Sequence, residues 1–367
     1  MFSLRLFQTR DMTFSVLSEK EFITEQLTPR AKLHGVYCYR KDSVIYYTYQ
    51  ILRRKTMPYL FAHFREKITQ DGEQVYFAIS RDGYNYNQLN GGKPIITCTD
   101  GEMGCRDIEV VRLKKGGFVI VATDLCIVNR MDENYNVDWE NINHNGSKSL
   151  SMWFSPDLTS FSPQRVTYMG RDDLGCLWAP EVYYDEENEE YLIHFSSTVK
   201  EDDYKQMSIY CSKTKDFMSF TKPELFFKAD SNILDSHIVK IGDTYHFFYK
   251  HANRPSGNMH EISEKLYGPY EHDDDFDKYI AQFEKPGSYE APTTCVLPDG
   301  KWCLLLDFFG CEKEKMGYVP FLSEKAGEAD FREAKEKFSF PYGFKHGHPV
   351  EITDEEYDRL AEFYGIG

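Results

Sequence analysis

Short runs rich in apolar and aromatic residues, separated by polar turn residues, fill most of the chain from residue 58 onward. One such run covers residues 59–64, and a second, at 74–80, follows a turn at Gln70-Asp71-Gly72. Aromatic-rich runs of this length, bounded by Gly, Pro, Asn and Asp, predict β-strands that are joined as hairpins. The pattern therefore predicts an all-β protein.

Four more hairpins follow, and each has an acidic residue near the start of its first strand. These residues are Asp107, Glu181, Asp235 and Glu290. They recur roughly every 50 to 75 residues, which is about the length of one four-stranded sheet. A β-propeller explains such a repeat, because the inner strand of each blade starts at one central pocket. In this interpretation the four acids stand in register with the repeat.

The two ends of the chain complete the prediction. Residues 344–352 form a candidate strand that can join the sheet begun at Tyr59, which makes a fifth blade from both chain ends. Thr353 and Glu356 then form a capping box for a terminal helix. We predict a five-bladed β-propeller over residues 56–367 with a short C-terminal helix. Residues 1–55 do not follow the repeat and are treated as an N-terminal extension, with a strand at 44–52 and a short helix at 19–25.

Composition narrows the classes of partner. The formal charge of −16 argues against nucleic acid, whose binding draws on clustered Lys and Arg. No apolar run approaches the roughly 20 residues that cross a bilayer. The first residues lack a signal peptide, which favours a cytoplasmic location, or the periplasm or secretion if a leader has been removed. Nine cysteines without a Cys-x-x-Cys pair indicate buried free thiols.

The acidic motifs resemble those of glycoside hydrolase family 43. The matching pieces are Arg106-Asp107, Trp178-Ala179-Pro180-Glu181, Leu234-Asp235 and Tyr289-Glu290-Ala291-Pro292, and the resemblance covers residues 58–352. It implies a five-bladed propeller that hydrolyses arabinosides, xylosides and related sugars with inversion. It also implies Asp107 as general base, Asp235 as modulator of the acid's pKa and Glu290 as general acid. The chain departs from the family pattern at Ile108 and Ser236, where the family often has Pro.

Three acids suit this chemistry on physical grounds. An inverting glycosidase needs a protonated carboxyl at the leaving oxygen and an ionised one about 6.5–9.5 Å away, so that a water fits between them. A third carboxylate near the acid raises its pKa, which is expected to keep Glu290 protonated near neutral pH.

Several neighbouring residues are candidates for substrate binding. Trp178 is either a platform for a sugar ring or a core residue. Arg106 either binds a substrate hydroxyl or pairs with Asp107. His237, two residues after Asp235, is expected on the same face of its strand, although a core histidine is the alternative. The remaining candidates are Glu181 and Tyr289.

A metal is a separate question. Family 43 propellers often hold a cation or water near the axis through a histidine, and by this resemblance His346 or His348 is a candidate for that role, with an ordinary hydrogen-bonding histidine as the more frequent alternative. Structural Ca²⁺ is a candidate ion, although calcium prefers oxygen ligands. No cofactor is required by the chemistry.

The sequence therefore predicts an inverting glycosidase that releases a terminal pentose from plant-type oligosaccharides or polysaccharides. α-L-Arabinofuranoside is the first candidate substrate. A β-xylosidase or a galactofuranosidase would need the same three acids. A non-catalytic carbohydrate-binding propeller and a protein-interaction propeller are the alternatives from other classes.

Overall fold

The structure is a computed structural model that describes residues 58–65, 67–253, 257–283, 285–312, 316–341 and 343–367. Of the preceding residues it describes the backbone of two strands, β1 (Val36–Arg40) and β2 (Ser43–Tyr47), which form an antiparallel pair. The strand predicted at 44–52 overlaps β2, and the helix predicted at 19–25 lies outside the described residues. The chain divides into two compact units, Met1–Thr56 and Met57–Gly367.

Three four-stranded antiparallel sheets lie between residues 178 and 333, and each follows chain order from an inner to an outer strand. The first contains β10 (Trp178–Asp185), β11 (Glu190–Ser197), β12 (Ser208–Thr214) and β13 (Glu224–Phe227). The second contains β14 (Ile233–Ile241), β15 (Thr244–His251), β16 (Asn258–Ser263) and β17 (Glu271–His272). The third contains β18 (Ser288–Val296), β19 (Trp302–Phe309), β20 (Gly317–Ser323) and β21 (Arg332–Glu333).

The other strands of this unit form one eight-stranded sheet with two halves. One half contains β6 (Cys105–Arg112), β7 (Phe118–Asp124), β8 (Ser149–Ser155) and β9 (Arg165–Tyr168). The other contains β3 (Tyr59–Arg65), β4 (Tyr76–Ser80), β5 (Asn87–Gln88) and the last strand, β22 (Phe344–Glu351). A single parallel pairing, Gly347 with Ile108, joins the halves. The predicted pairing of the closing strand with the strand at Tyr59 is confirmed, since Glu351 pairs with Tyr59.

Three α-helices accompany the sheets in the described part of this unit: α1 (Trp139–Asn145), α2 (Asp274–Ile280) and α3 (Asp354–Tyr364). The predicted capping box of α3 is present, with Thr353 and Glu356 each satisfying a backbone N–H of the other. Tyr357 and Leu360 of this helix are buried. Within the described residues, no helix is long and apolar enough to span a membrane. The eight described cysteines are free thiols.

The core fills the spaces between successive sheets. Val121 and Leu150 of one sheet pack in a cluster with Ile193 and Phe195 of the next, and all four are fully buried. Burying one such side chain stabilises the fold by about 1.5–3 kcal/mol. Ile120 and Ala122 of the same strand as Val121 pack in a different cluster, so the sheets bury side chains on both faces.

A β-bulge recurs near the start of five inner strands, β6, β10, β14, β18 and β22. In each, one extra residue is inserted between two ladder pairs, as between Arg106 and Glu109 in β6. The first bulged residue has positive φ in every case: Asp107, Ala179, Asp235, Ala291 and His346. A bulge bends the strand and re-aims the side chains around it.

The bulges correct the predicted register of the four acids. Asp107 and Asp235 occupy the first bulged position, Glu290 stands one residue before it, and Glu181 stands two residues after it. The four acids therefore do not occupy equivalent positions in their strands. The sequence alone could not show this, because it does not reveal where a bulge inserts a residue.

Candidate active site

A pocket opens where the bulged ends of the inner strands meet. It encloses about 510 Å³ of empty space, open solvent included. The lining contains three of the predicted acids, and it consists of Phe64, Arg106, Asp107, Leu125, Trp139, Trp178, Leu234, Asp235, Glu290 and His346. The structure thus brings together the residues that were predicted as catalytic.

Asp107 is held by two partners in the pocket wall. Its Oδ1 lies 2.9 Å from Nδ1 of His346, and its Oδ2 accepts a hydrogen bond of 2.7 Å from the Thr123 hydroxyl. Burial by itself would raise the pKa of Asp107, but the His346 and Arg106 charges lower it to about 2. Asp107 is therefore ionised at neutral pH, as a general base must be.

His346 is a pocket residue and carries the opposite charge. Burial favours neutral imidazole, yet Asp107 and Asp235 raise the pKa of His346 to about 9. Its backbone N–H donates to Asp307 at 3.3 Å. His346 thus pairs with the proposed base in the pocket wall.

Glu290 is contacted by two lysines. Its Oε2 lies 2.9 Å from Nζ of Lys250, and its Oε1 lies 3.1 Å from Nζ of Lys345. Burial alone would raise the pKa of Glu290, but the two ammonium groups outweigh burial and lower it to about 2. The expectation that Asp235 keeps Glu290 protonated near neutral pH therefore does not hold for this geometry, because two lysines that the sequence analysis did not identify contact Glu290 directly.

Asp235 has a different environment. Its Oδ2 accepts the backbone N–H of Ala291 at 3.2 Å, one residue beyond Glu290, and its own N–H donates to the Ser196 hydroxyl at 3.1 Å. Burial raises the pKa of Asp235, and Glu290 adds to the rise, while the charge of His346 opposes it. Asp235 is therefore attached to the backbone beside Glu290, as a modulator of that residue would be.

Arg106 and two tryptophans complete the wall. Nη1 of Arg106 lies 2.7 Å from Oε1 of the buried Glu73, and its guanidinium stacks over Phe64 at 4.4 Å from the ring centroid. Trp178 meets Trp139 edge to face, with ring centroids 6.1 Å apart. Arg106 thus has an ion-pair partner, Glu73, that sequence reasoning did not identify. Trp178 lines the pocket and also packs against the buried cluster of Leu125, Ile127 and Ile142.

Three predicted binding residues lie outside the pocket lining. His237 is buried and contacts Glu181 (Nδ1 to Oε2, 2.7 Å) and the Thr294 hydroxyl at 2.9 Å. The bulge between Leu234 and His237 breaks the two-residue alternation, so His237 does not share the face of Asp235. Tyr289 precedes Glu290 on the opposite face, and its hydroxyl donates to Phe283 at 3.1 Å within an aromatic cluster.

The residues that directly follow the five bulges form a group of polar side chains that is separate from the pocket lining. They are Glu109, Glu181, His237, Thr293 and His348. Glu181, His237 and His348 bring possible donor atoms within 4.8 Å of one another. One oxygen of Glu109 is buried without a hydrogen-bond partner. Burial lowers the pKa of His237 and His348 to about 3, so both imidazoles are neutral.

The donor set of these residues does not suit calcium, which was only a candidate ion. Calcium takes six to eight oxygen ligands, whereas two of the three converging donors are imidazole nitrogens. His346, the other histidine considered for this role, contacts Asp107 instead.

Comparison with known proteins identifies the family. Residues 55–358 match the family-43-related glycosyl hydrolase model described as "Probable glycosyl hydrolase domain". This match spans most of the chain, and the chain belongs to that family.

One curated relative is an α-L-arabinofuranosidase from Bifidobacterium longum subsp. longum. It is 26% identical over 206 residues, which is 50% of this chain and 19% of that protein. The chain thus spans about a fifth of the length of this relative.

Solved structures agree in fold. An endo-1,4-β-xylanase from Bacteroides thetaiotaomicron matches with a TM-score of 0.51 at 13% identity, over 80% of this chain and 97% of that one. A family-43 protein from Bacillus licheniformis gives the same TM-score and identity over 82% of this chain and 57% of that one. At such identities the likeness concerns the fold alone.

Proposed function

We propose that this chain is an inverting glycosidase that releases a terminal pentose, with α-L-arabinofuranose as the first candidate. The observation that carries the proposal is the convergence of Asp107, Asp235 and Glu290 on one pocket. The arabinofuranosidase relative supports the choice of sugar. Oligosaccharide or polysaccharide side chains are the proposed partners.

The proposed architecture is a five-bladed propeller. Three separate four-stranded sheets and the two halves of the eight-stranded sheet supply five units, each with one bulged inner strand. The bulged ends supply every catalytic candidate, which is what a central pocket between blades requires.

In the proposed reaction a water attacks the anomeric carbon while the bond from that carbon to the leaving oxygen breaks. Asp107 takes a proton from the water, and Glu290 gives a proton to the leaving oxygen. Asp235 contacts the backbone beside Glu290 and tunes that carboxyl. Arg106 and Trp178 contribute a hydrogen-bond donor and an aromatic face to the sugar.

Two alternatives to an arabinofuranosidase remain, one with another sugar specificity and one without catalysis. A β-xylosidase or galactofuranosidase would use the same acids with another sugar. A non-catalytic carbohydrate-binding propeller is favoured by one observation, the contact of Glu290 with two lysine ammonium groups, because these contacts favour the ionised carboxyl, which has no proton to give.

The test uses aryl α-L-arabinofuranoside, β-D-xyloside and β-D-galactofuranoside with the wild type, Asp107→Asn and Glu290→Gln. Proton NMR of the first-formed sugar reports whether the anomeric configuration inverts. We expect one active substrate, inversion, and a fall in kcat of about 10²-fold or more in each variant with unchanged folding. Activity that survives in a variant would refute the role of that residue, and an inactive wild type that binds the sugars would favour the binding module.

A further inference from the structure

Two lysines from different sheets converge on Glu290. Lys250 comes from β15 of the preceding sheet, where it pairs with Leu234. Lys345 comes from the closing strand β22, where it precedes the bulge. Each ammonium group takes a different oxygen of the same carboxylate, at 2.9 and 3.1 Å. The two contacts therefore fix the plane of the carboxylate as well as its position.

One aromatic ring lies beside both lysines. Nζ of Lys250 is 4.3 Å and Nζ of Lys345 is 5.3 Å from the ring centroid of Phe309. A cation near an aromatic face is attracted by the ring quadrupole. Phe309, two residues beyond the pairing partner of Glu290 on β19, thus helps to hold the two ammonium groups in place.

Lys345 is shared between two carboxylates. Besides Glu290 it contacts Oδ2 of Asp307 at 2.7 Å, and both Lys345 and Asp307 are almost fully buried. Two cations and two anions make the group balanced in charge. A buried ion pair by itself is weak support for a role beyond structure, but Glu290 also lines the pocket, so this group connects buried charge to the site of reaction.

We propose that Lys250 and Lys345 are positioning residues that fix the orientation of Glu290 and keep it charged in the free pocket. The proposal rests on the proposed function insofar as Glu290 must give up a proton during the reaction. A carboxylate held by two cations gains that proton only at low pH or after an ammonium contact is released. The two lysines therefore set the pH range in which Glu290 can act as an acid.

Other charged groups act on Glu290 from the elements around it. Asp307 on β19 and Asp235 on β14 favour its protonated form. Arg106 on β6 and His346 on β22 favour its ionised form. Tyr318 on β20 is a further titratable neighbour, whose pKa is raised by burial and by Asp307 and Glu290. The lysines are distinguished from these residues because they contact the carboxylate directly.

The first experiment does not depend on activity. Carboxyl carbons are labelled with ¹³C-glutamate, the Glu290 signal is assigned by its loss in Glu290→Gln, and it is followed by NMR between pH 4 and 9. In the wild type we expect the signal to stay at the carboxylate position throughout. In Lys250→Met and Lys345→Met we expect the titration midpoint to rise by about 2–3 units from about 2, which brings it into the measured range, because a nearby opposite charge has been removed. A signal that stays at the carboxylate position in both variants would contradict the role of the two lysines.

Conservative variants separate charge from packing. Lys250→Arg keeps the cation and is expected to retain the wild-type titration. Lys250→Met also leaves the Lys345–Asp307 pair intact, so it remains informative if Lys345→Met folds poorly. Lys301→Met removes a lysine that pairs with Asp299 outside the pocket lining and is expected to leave the Glu290 signal unchanged.

The second experiment records kcat/KM against pH on the active substrate. The alkaline limb reports loss of the proton from the acid, so it is expected to move to higher pH in Lys250→Met and to stay in place in Lys250→Arg. A wild-type Glu290 that titrates near pH 4.5 or above would overturn the positioning proposal even if the enzyme is active. An inactive wild type with the expected NMR result would refute the proposed function and leave the positioning role intact.

Discussion

The first bulged residue of each inner strand has an unusual backbone conformation, and in four of the five strands its backbone N–H donates to a side chain of the preceding sheet. Asp107 and Asp235 both have φ of 53°, where side chains other than glycine are strained by about 1–3 kcal/mol. The backbone N–H groups of Ala179, Asp235 and His346 are satisfied by Thr123, Ser196 and Asp307 of the preceding sheet. Such conformations persist where the surroundings fix them, so the pocket carboxyls are presented by rigid backbone.

At the same scale, the contact between Asp107 and His346 predicts a dependence of stability on pH. The pKa of Asp107 falls from 3.8 to about 2, and that of His346 rises from 6.5 to about 9. The Asp107 contribution is present above pH 3.8 and is lost as the pH falls through about 2. The His346 contribution is complete below pH 6.5 and is lost as the pH rises through about 9. The pair therefore stabilises the fold most between about pH 4 and 6.5.

The measurement is a double-mutant cycle of Asp107→Asn and His346→Gln, with the free energy of unfolding determined from pH 4 to 10. The cycle isolates the interaction of the two side chains from their separate packing effects. We expect a favourable coupling energy at pH 5 that declines toward pH 10. A coupling energy that is the same at both pH values would contradict the assignment of this contact as an ion pair.

At the scale of single elements, the sequence predicted the strands better than it predicted the faces of the strands. The hairpin pattern, in which each acid-led strand is followed by a turn and a second strand, locates β6, β10, β14 and β18. The two-residue period of side-chain direction fails for His237, which a bulge turns away from the face of Asp235. The residues with positive φ in the bulges are Asp107, Ala179, Asp235, Ala291 and His346, and none of these five is a glycine that would have signalled the conformation.

The helix α1 carries a pocket residue that the sequence did not single out. Trp139 opens this helix, whose N-cap Asp138 accepts the Asn141 N–H at 2.9 Å. Ile142 anchors the helix by packing with Leu125 and Ile127. The Trp139 residue is 47% exposed although it lines the pocket. An exposed ring at a pocket mouth, held edge to face by Trp178, suits stacking on a sugar beyond the cleaved bond.

We therefore expect Trp139→Ala to lower kcat/KM on an oligosaccharide by about 2- to 12-fold, equivalent to losing about 0.5–1.5 kcal/mol of aromatic contact. The same variant should cleave an activated glycoside with a small leaving group at nearly the wild-type rate. Phe363→Ala, which removes an exposed ring from α3 outside the pocket lining, is the matched control. Equal losses on both substrates would show that Trp139 supports the pocket rather than a sugar.

At the scale of the whole unit from Met57 to Gly367, the closing strand β22 has two functions. It completes the sheet begun by β3, and it supplies Lys345 and His346, which contact Glu290 and Asp107. The pairing of β22 with β3 could be predicted, because the final strand can join the sheet begun at Tyr59 and so complete a fifth blade. The contacts of β22 with the pocket acids could not be predicted, since they depend on which side of a bulge each residue lies.

Gly347 in this strand links closure of the fold to the site. It follows His346, pairs with Ile108 of β6, and both its N–H and its carbonyl contact the Tyr318 hydroxyl. A Cβ added at Gly347 would lie 2.1 Å from the carbonyl oxygen of Ala62, which is backbone and cannot rotate away. Gly347 is therefore required by close approach of two strands rather than by a positive φ.

The prediction for the closing strand is that Gly347→Ala destabilises the fold by about 1–3 kcal/mol, the usual effect of overpacking. Because the shift needed to relieve the clash would displace Lys345 and His346, we also expect kcat to fall at temperatures where the variant remains folded. Gly242→Asn is the control, since nothing lies within 4 Å of its added Cβ and asparagine tolerates the φ of 61°. Guanidinium unfolding and kcat measured on the same samples decide the question. Loss of stability with unchanged kcat would mean that closure and catalysis are separable, because β22 could then move without disturbing the residues that contact Asp107 and Glu290.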